Sequence, residues 1–344
     1  MKFVNTIDED LKRRDFTINA ICYNPHTGIY DPLGGVADIK NKTIRAIGDA
    51  KKRFSEDALR ILRAARFASQ LGFSIYGDTY KYMKICKSKL LDISAERITH
   101  ELDLMLRGQF VHDAIMQCHD VFDCVIPEIC ACAGFLQHTK YHAYDVLEHI
   151  AYVTQYVKNT QTLRWAALLH DIGKPSTLFI DEQGQGHFYG HAITSHMLAK
   201  SVLSRMKLSA KTKNDILTLI ERHNDTLLPT KKSINKTLLK MDGNVSLFRD
   251  LLELKRADSL GHAPNYTEQV HIYDEIEKLL FDMIASGAIF REKQLKIDGN
   301  DLIDAGFEQS SKIKDIKHKL LIAVMNEQIS NDKDSLIEYA RKNK

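Results

Sequence analysis

The chain has 344 residues, of which 44% are hydrophobic and 27% charged, and its formal net charge is +3. This composition excludes wholesale disorder, and the length predicts two or three domains. A charge so close to balance does not by itself indicate nucleic-acid binding. The low counts of 6 Pro and 17 Gly favour long helices over a turn-rich β architecture.

The sequence also indicates the cellular compartment in which the protein is expected. No stretch approaches the roughly 20 apolar residues of a membrane span, and the residues after Met1 lack the features of a secretory signal. The 6 cysteines show no paired CxxC spacing, which favours free thiols over zinc ligands or disulfides. We therefore expect a cytoplasmic protein with no membrane partner.

The first 50 residues predict a small piece of mixed α/β structure. Residues 16–23 are β-prone, and Asn24 to Gly28 form a turn signal. The pair Ile29-Tyr30 continues as a second short strand and ends at a glycine-rich break. These elements have the appearance of the tail end of a small sheet.

Three cations and a carboxylate, Lys12 to Asp15, directly precede the first predicted strand. Guanidinium groups bind phosphate bidentately, and a neighbouring carboxylate orients one of them or accepts a hydrogen bond from a ribose hydroxyl. The alternative for such a cluster is a solvated run of charge.

The segment from Ser55 to Leu71 shows the apolar periodicity of one helix. On that helix Glu56, Arg60 and Arg63 fall on one stripe, with Asp57 beside Arg60. A carboxylate accepts from an exocyclic amine and a guanidinium donates to ring acceptors, so the stripe predicts a surface that reads the edge of a base. A helix surface with ordinary ion pairs is the alternative. Further helices are predicted almost without interruption to Tyr339.

Three segments in this order resemble the class II tRNA nucleotidyltransferases and bacterial poly(A) polymerases, a family of the polymerase-β superfamily. They run from Asp10 to Ala20, from Asp31 to Ile39 and from Glu56 to Phe67. The resemblance implies that the first and third segments bind the nucleotide and read the base of CTP or ATP, and that the second forms a hinge. The implied nucleotide-binding residues are Arg13, Arg14, Asp15, Asn19, Glu56, Asp57, Arg60, Arg63 and Arg66.

Nucleotidyl transfer in this family needs two magnesium ions on an Asp-x-Asp pair that follows a Gly-Gly turn. Neither motif is evident before Arg13, and Asp8 and Asp10 are weak candidates for the pair. No catalytic residue for the transfer is therefore assigned. We expect this chain to be unable to transfer nucleotides alone, whether its start is misplaced, its head is lost or a separate polypeptide supplies the head.

A second constellation lies in the helical body. His170-Asp171 ends an apolar helix, and His149 precedes it. Imidazole and carboxylate are common metal ligands, although an isolated His-Asp pair is more often structural. The order of these residues resembles the HD superfamily of metal-dependent phosphohydrolases. That resemblance implies the metal ligands His149, His170, Asp171 and Asp258, the second-ion ligands His191 and His223, and Lys174 as a phosphate-neutralising cation; His142, His187 and His196 are lesser candidates.

The resemblance implies magnesium for the transferase reaction and nickel, cobalt, manganese or magnesium at the HD site. The segment from Lys296 to Phe307 is similar to the tail of the family, which contacts tRNA. We therefore expect a mainly α protein whose partners are tRNA, CTP and ATP. Its expected regions are a partial nucleotidyltransferase head (1–50), a helical neck with the nucleotide-reading helix (51–140), an HD domain (141–262) and a tRNA-binding helical tail (263–344).

Three functions stay open at this point. The leading one is CCA or CC addition to the 3′ ends of tRNA. The second is metal-dependent hydrolysis of phosphomonoesters or 2′,3′-cyclic phosphates. The third is a non-catalytic remnant that binds tRNA.

Overall fold

A computed structural model describes residues 6–139, 143–262, 270–308 and 312–343. The protein is mainly helical, as predicted, and its strands are short. None of the helices in the described ranges is both long and apolar enough to cross a bilayer. The strands are β1 Cys22–Asn24, β2 Gly28–Tyr30, β3 Thr43–Ile44, β4 Ser74–Ile75, β5 Phe179–Ile180 and β6 Gly186–His187. The helices are α1 Ile7–Lys12, α2 Gly35–Lys40, α3 Ala50–Glu56, α4 Leu59–Leu71, α5 Gly77–Cys86, α6 Ala95–Leu106, α7 Val111–Cys118, α8 Pro127–Cys130, α9 Val146–Tyr156, α10 Gln161–Leu169, α11 His191–Arg205, α12 Ala210–Arg222, α13 Lys231–Lys240, α14 Val245–Leu260, α15 Val270–Ala285, α16 Gly299–Asp304, α17 Lys312–Met325 and α18 Lys333–Lys342.

The chain divides into two compact units. The described part of unit 1 comprises residues 6–224, apart from 140–142, together with 257–262, and the remaining described residues form unit 2. Helix α14 contributes to both units, and Asp258 near its end belongs to unit 1. The four regions expected from the sequence stay a prediction.

The front of unit 1 contains the predicted turn but less strand than expected. Strands β1 and β2 pair antiparallel around that turn, where Gly28 has a φ of +79° that favours glycine. Residues 16–21 do not form a strand: Phe16 makes an isolated bridge to Ala46, and Thr17–Asn19 is a 3-10 turn. The cause is local, because the Asp15 carboxylate accepts from Phe16 N and Asn19 Nδ2 and holds the chain in the turn.

The helix predicted from Ser55 to Leu71 is two helices. Helix α3 ends at Glu56, Asp57 is extended with φ −152° and ψ 104°, and α4 begins at Leu59. Asp57 Oδ1 accepts a hydrogen bond from Leu59 N at 3.1 Å, the type of bond that favours Asp at the start of a helix. The single stripe of Glu56, Arg60 and Arg63 is therefore wrong as geometry, although Glu56 Oε2 still lies 3.0 Å from Arg60 Nη1.

Helices α9 to α12 form the core that carries the HD residues. The apolar face of α10 packs against α9 and α12, and Trp165 in its middle is fully buried. A side-chain hydrogen bond caps the start of three of these helices, and the capping residues are Asp145, Thr160 and Ser209. Two buried histidines, His170 and His223, follow directly after the last residues of α10 and α12.

Candidate functional site

Four predicted ligands come together in unit 1. Nε2 of His149 lies 3.4 Å from Nε2 of His170, and Asp171 Oδ2 lies 3.3 Å from each of these nitrogens. Asp258 Oδ1 lies 3.1 Å from His149 Nε2 and 3.6 Å from His170 Nε2. Metal–ligand bonds of about 2.0–2.2 Å place neighbouring ligand atoms roughly 3–3.5 Å apart. The cluster therefore has the spacing of a site for one divalent ion.

The same aspartate belongs to a second group of ligands. Asp171 Oδ1 lies 3.5 Å from Nε2 of His191 and 3.5 Å from Nε2 of His223, and these two nitrogens are 3.2 Å apart. Each group of ligand atoms fits within 4.8 Å. A carboxylate that offers one oxygen to each group is suited to a pair of divalent ions.

The four histidines share one orientation. In each ring Nδ1 lies within hydrogen-bond distance of a backbone carbonyl and donates to it, which leaves Nε2 directed at the cluster. For three of them, His170, His191 and His223, the accepting carbonyl belongs to the residue three positions earlier in the chain. The accepting residues are Gly261 at 3.0 Å, Ala167 at 2.7 Å, Phe188 at 2.8 Å and Ile220 at 2.6 Å.

The electrostatics of the cluster depend on Asp171, which is buried. Burial opposes its ionisation, but His170 and Lys174 outweigh burial and hold the pKa of Asp171 well below its ordinary value. Burial also lowers the pKa of His170, yet Asp171 and Asp258 raise it to about 10. Asp171 Oδ1 makes no hydrogen bond within the described part of the chain. An unsatisfied buried carboxylate oxygen is costly, and a cation there would remove the cost, so the donor set fits a divalent ion.

Lys174 is buried beside this cluster rather than exposed at its mouth. Its Nζ donates to Asp171 Oδ2 at 2.6 Å and to Gln137 Oε1 at 2.8 Å. The ammonium therefore compensates the charge of Asp171, and its predicted role toward a phosphate stays a prediction. Gln137 was not foreseen, and no signal in the sequence pointed to it.

A further histidine of the site was missed. The ring of His262 stacks on that of His149, with centroids 5.5 Å apart and planes 14° apart, and its Nε2 lies 3.8 Å from Asp258 Oδ1. Its position four residues after Asp258 was the available signal. Among the lesser candidates, His187 pairs with Asp181 and His196 with a backbone carbonyl, so neither joins a ligand group. His142 lies outside the described residues.

The predicted nucleotide-binding residues meet at a second place in unit 1, a cavity of about 580 Å³. Six of the nine line it. The remaining three do not: Arg13 pairs with Asp10, Glu56 pairs with two arginines, and Arg66 pairs with the buried Glu101. The lining residues are Arg14, Asp15, Asn19, Asp57, Leu59, Arg60, Arg63, Phe67 and Arg97.

Ion pairs fix the polar wall of this cavity. Arg63 Nη2 lies 2.6 Å from Asp15 Oδ2, and Arg97 Nη2 lies 2.8 Å from Asp57 Oδ2. Arg60 Nη2 donates to the backbone carbonyl of Arg13 at 3.0 Å. Arg97 was missed as a site residue, because its contact with Asp57 joins two segments that are far apart in the chain. The wall thus offers guanidinium donors and carboxylate acceptors in fixed positions, which suits a base, a ribose and phosphates.

Three known protein families match parts of this sequence. The sequence matches the family described as Poly A polymerase head domain over residues 1–45. It matches the region described as Probable RNA and SrmB-binding site of polymerase A over residues 72–132. The HD domain family matches residues 139–276, which include every ligand of the two groups.

Individual relatives agree with these matches. The CCA-adding enzyme of Geobacillus thermodenitrificans is 50% identical over 113 residues, 33% of this chain and 28% of that protein. The Multifunctional CCA protein of Shewanella frigidimarina is 35% identical over 230 residues, 63% of this chain and 54% of that protein. The matched regions thus span less than two thirds of either relative's length.

The fold agrees as well. The crystal structure of the Bacillus stearothermophilus CCA-adding enzyme in complex with CTP superposes on 99% of this chain and 75% of its own, with a TM-score of 0.74 and 26% identity. The order of the head, RNA-binding and HD matches is the order of the motifs in the sequence. The chain therefore belongs to the class II CCA-adding enzyme and poly(A) polymerase family and carries an HD domain.

Proposed function

We propose that this chain binds and selects CTP and ATP for CCA or CC addition to the 3′ ends of tRNA. The observation that carries the proposal is the cavity lined by six of the predicted nucleotide-binding residues. The Bacillus stearothermophilus relative was solved with CTP. A Thermotoga maritima CCA-adding enzyme of the same fold was solved with tRNA, and we infer tRNA as the partner here.

Selection of the base follows from the chemistry of the cavity wall. Cytosine and adenine carry an exocyclic amine where uracil and guanine carry a carbonyl oxygen. Asp57, held by Arg97, accepts from that amine, and Arg60 donates to a ring acceptor. Arg14 and Arg63 lie at the same wall and neutralise phosphates. The expected result is tight binding of CTP and ATP and weak binding of UTP and GTP, measured by isothermal titration.

The residues that line the cavity are proposed to bind the nucleotide, and none of them is assigned to the transfer step. Asp10 pairs with Arg13 and Arg14, and Asp8 accepts from the Tyr30 hydroxyl at 2.6 Å, so neither weak candidate is placed to hold a catalytic ion. We expect the 344-residue polypeptide alone to add no CTP or ATP to tRNA that lacks its 3′ end. Robust incorporation by the purified chain would overturn this. The comparisons offer no support for a separate polypeptide that carries the head.

We also propose that the HD site hydrolyses phosphomonoesters or 2′,3′-cyclic phosphates. The observation that favours it is the pair of ligand groups that share Asp171 and leave its Oδ1 without a hydrogen bond. Nickel, cobalt, manganese or magnesium ions held by these residues would supply charge stabilisation to the phosphoryl oxygens and acidify water. In the reaction a water oxygen forms the new P–O bond, the ester P–O bond breaks, and the leaving oxygen takes up a proton.

The residues of this chain position the reacting groups. The carbonyl bonds to Nδ1 fix each imidazole, and His170 together with the Lys174 ammonium keeps Asp171 ionised. Phosphatase assays with each of the four metals test the proposal. The double variant His170→Ala, Asp171→Ala is expected to lose all activity, whereas His196→Ala, on α11 but outside both ligand groups, retains it. Binding of tRNA without turnover by the unaltered chain would favour the non-catalytic remnant.

We propose a cytoplasmic location on the chemistry of the cysteines. All six are free thiols, and free thiols persist in a reducing compartment. Burial raises the pKa of Cys130 to about 11, so its thiol stays protonated and unreactive.

A further inference from the structure

A row of three rings lies beside the HD cluster and takes no part in it. Phe179 pairs with His187 across the β5–β6 hairpin, and their ring centroids are 6.3 Å apart. The His187 ring stacks on Tyr189 with centroids 5.4 Å apart and planes 4° apart. Phe179 is 57% exposed and Tyr189 is 74% exposed. The row therefore presents an open aromatic face to solvent.

The middle ring of this row is fixed. His187 Nε2 lies 2.7 Å from Asp181 Oδ2. The other oxygen of Asp181 accepts from the backbone N–H groups of Gln183 and Gln185, so the carboxylate that holds the imidazole is itself held by the turn of the hairpin. A flat surface that is ordered before binding loses little entropy when a ligand stacks on it.

The row borders the ligands of the proposed metal site. The carbonyl of Phe188 accepts from His191 Nδ1 at 2.8 Å, and the Phe188 ring lies 5.4 Å from Lys174 Nζ. Tyr189 stands between Phe188 and His191 in the chain. Since each residue spans at most about 3.6 Å, the Cα atoms of Tyr189 and His191 are separated by roughly 7 Å or less. The backbone of Tyr189 therefore lies close to that of the predicted ligand His191.

We propose that Tyr189, backed by His187 and Phe179, stacks the base of a nucleotide whose phosphate lies at the HD cluster. The inference rests on the proposed phosphohydrolase function and names its substrate class as nucleoside monophosphates and nucleoside 2′,3′-cyclic phosphates. Stacking on an aromatic face is tolerant of base identity because every base has a π-face. Sugar phosphates without a base make no use of the row.

Kinetics on matched substrates test this assignment. In Tyr189→Ala we expect kcat/KM for adenosine 2′,3′-cyclic phosphate to fall roughly 5- to 150-fold, the range that loss of one base–aromatic stack gives. The fall appears in KM, is absent for ribose 5-phosphate and is rescued by Tyr189→Phe. Tyr23→Ala is the matched control, because Tyr23 is also 74% exposed but belongs to the front hairpin.

A second readout needs no turnover. 2-Aminopurine riboside monophosphate loses fluorescence when its base stacks, and with magnesium present we expect quenching by the unaltered chain, by Tyr189→Phe and by Tyr23→Ala. Tyr189→Ala is expected to lose the part of the quenching that arises at the HD site. The comparison of Tyr189→Ala with Tyr23→Ala removes the contribution of nucleotide bound in the other cavity.

The outcomes separate this inference from the proposed hydrolase. Quenching that depends on Tyr189, with no phosphoester hydrolysed, would support base stacking and defeat the hydrolase. Hydrolysis that Tyr189→Ala leaves unchanged, or lowers equally for ribose 5-phosphate and the cyclic nucleotide, would support the hydrolase and overturn the stacking assignment. Unchanged quenching in Tyr189→Ala would overturn it as well.

Discussion

The number of ions bound at the HD cluster depends on one carboxylate. Asp171 offers Oδ2 to the group of His149 and His170 and Oδ1 to the group of His191 and His223. We predict that the unaltered chain binds two divalent ions. Asp171→Asn is expected to bind neither, because the substitution removes the anionic ligand from both groups. His223→Ala removes one ligand from one group and is expected to leave a single ion bound.

The stabilisation that each bound ion gives can be measured as a shift in the Tm of unit 1. An ion present at about 100 times its Kd stabilises the folded state by roughly 2.7 kcal/mol. For a unit of about 150–250 residues, each kcal/mol shifts Tm by about 2–4 °C, so one ion raises Tm by roughly 5–11 °C. The unaltered chain should show two such increments, His223→Ala one and Asp171→Asn none. Without metal, Asp171→Asn should also be less stable by about 3–5 kcal/mol, because the Lys174 ammonium loses the partner at 2.6 Å.

Isothermal titration with manganese gives the stoichiometry, and differential scanning calorimetry with and without the metal gives the shifts in Tm. Asp215→Asn is the matched control, because Asp215 lies on α12 and pairs with Lys211 away from the cluster. It should keep two ions. Binding of two ions by Asp171→Asn with unchanged affinity would refute the shared-carboxylate geometry.

Three further predictions concern other parts of the chain. Arg60→Ala should weaken CTP binding by about 1.5–3 kcal/mol in isothermal titration, because a charged donor at the cavity is lost. Arg107→Ala is the control: Arg107 pairs with Asp103 of α6, and its removal should leave CTP binding unchanged. Gly173→Ala should lower the free energy of unfolding by about 1–3 kcal/mol in a denaturant titration, because a Cβ there would lie 2.6 Å from a backbone nitrogen of α11. Gly77→Ala is the control and should lower it far less, because the space around Gly77 is open. Burial raises the pKa of Glu277, but two arginines outweigh it and hold the pKa below its ordinary value. The stabilisation from Glu277 is therefore present above about pH 4.3 and lost as the pH falls through the lowered value, so Glu277→Gln should cost about 1 kcal/mol or less at pH 7 and nothing at pH 2.

The clustering of the histidines and aspartates of the HD domain could be predicted, because the chemistry of their side chains can be recognised in the sequence. A His-Asp pair at the end of an apolar helix needs a partner for each charge, and the order of the remaining ligands followed a family pattern. The sequence did not indicate that Asp171 would divide its oxygens between two groups. It also gave no sign of Gln137, whose contact with Lys174 joins residues far apart in the chain.

At the cavity lined by Arg60 and Arg63 the structure differs from the sequence-based expectation for two physical reasons. Arg66 was expected to bind nucleotide with the other arginines, but it pairs with Glu101 on α6. Periodicity on one helix cannot reveal a partner supplied by another. The break after Glu56 is a local effect that periodicity also misses, because the apolar spacing continues through Ala58 while the Asp57 side chain bonds to Leu59 N.

That break gives Asp57 its place in the proposed base-reading site. Its Oδ1 is used at the start of α4 and its Oδ2 pairs with Arg97, so both oxygens are oriented before a base arrives. Each carboxylate oxygen has a further lone pair, and an exocyclic amine can therefore be accepted without breaking either bond. A continuous helix would have left Asp57 as a flexible surface carboxylate able to turn toward any neighbouring cation. The break between α3 and α4 therefore makes Asp57 a rigid acceptor. A rigid acceptor discriminates an amine from a carbonyl oxygen because it cannot turn away from the wrong base.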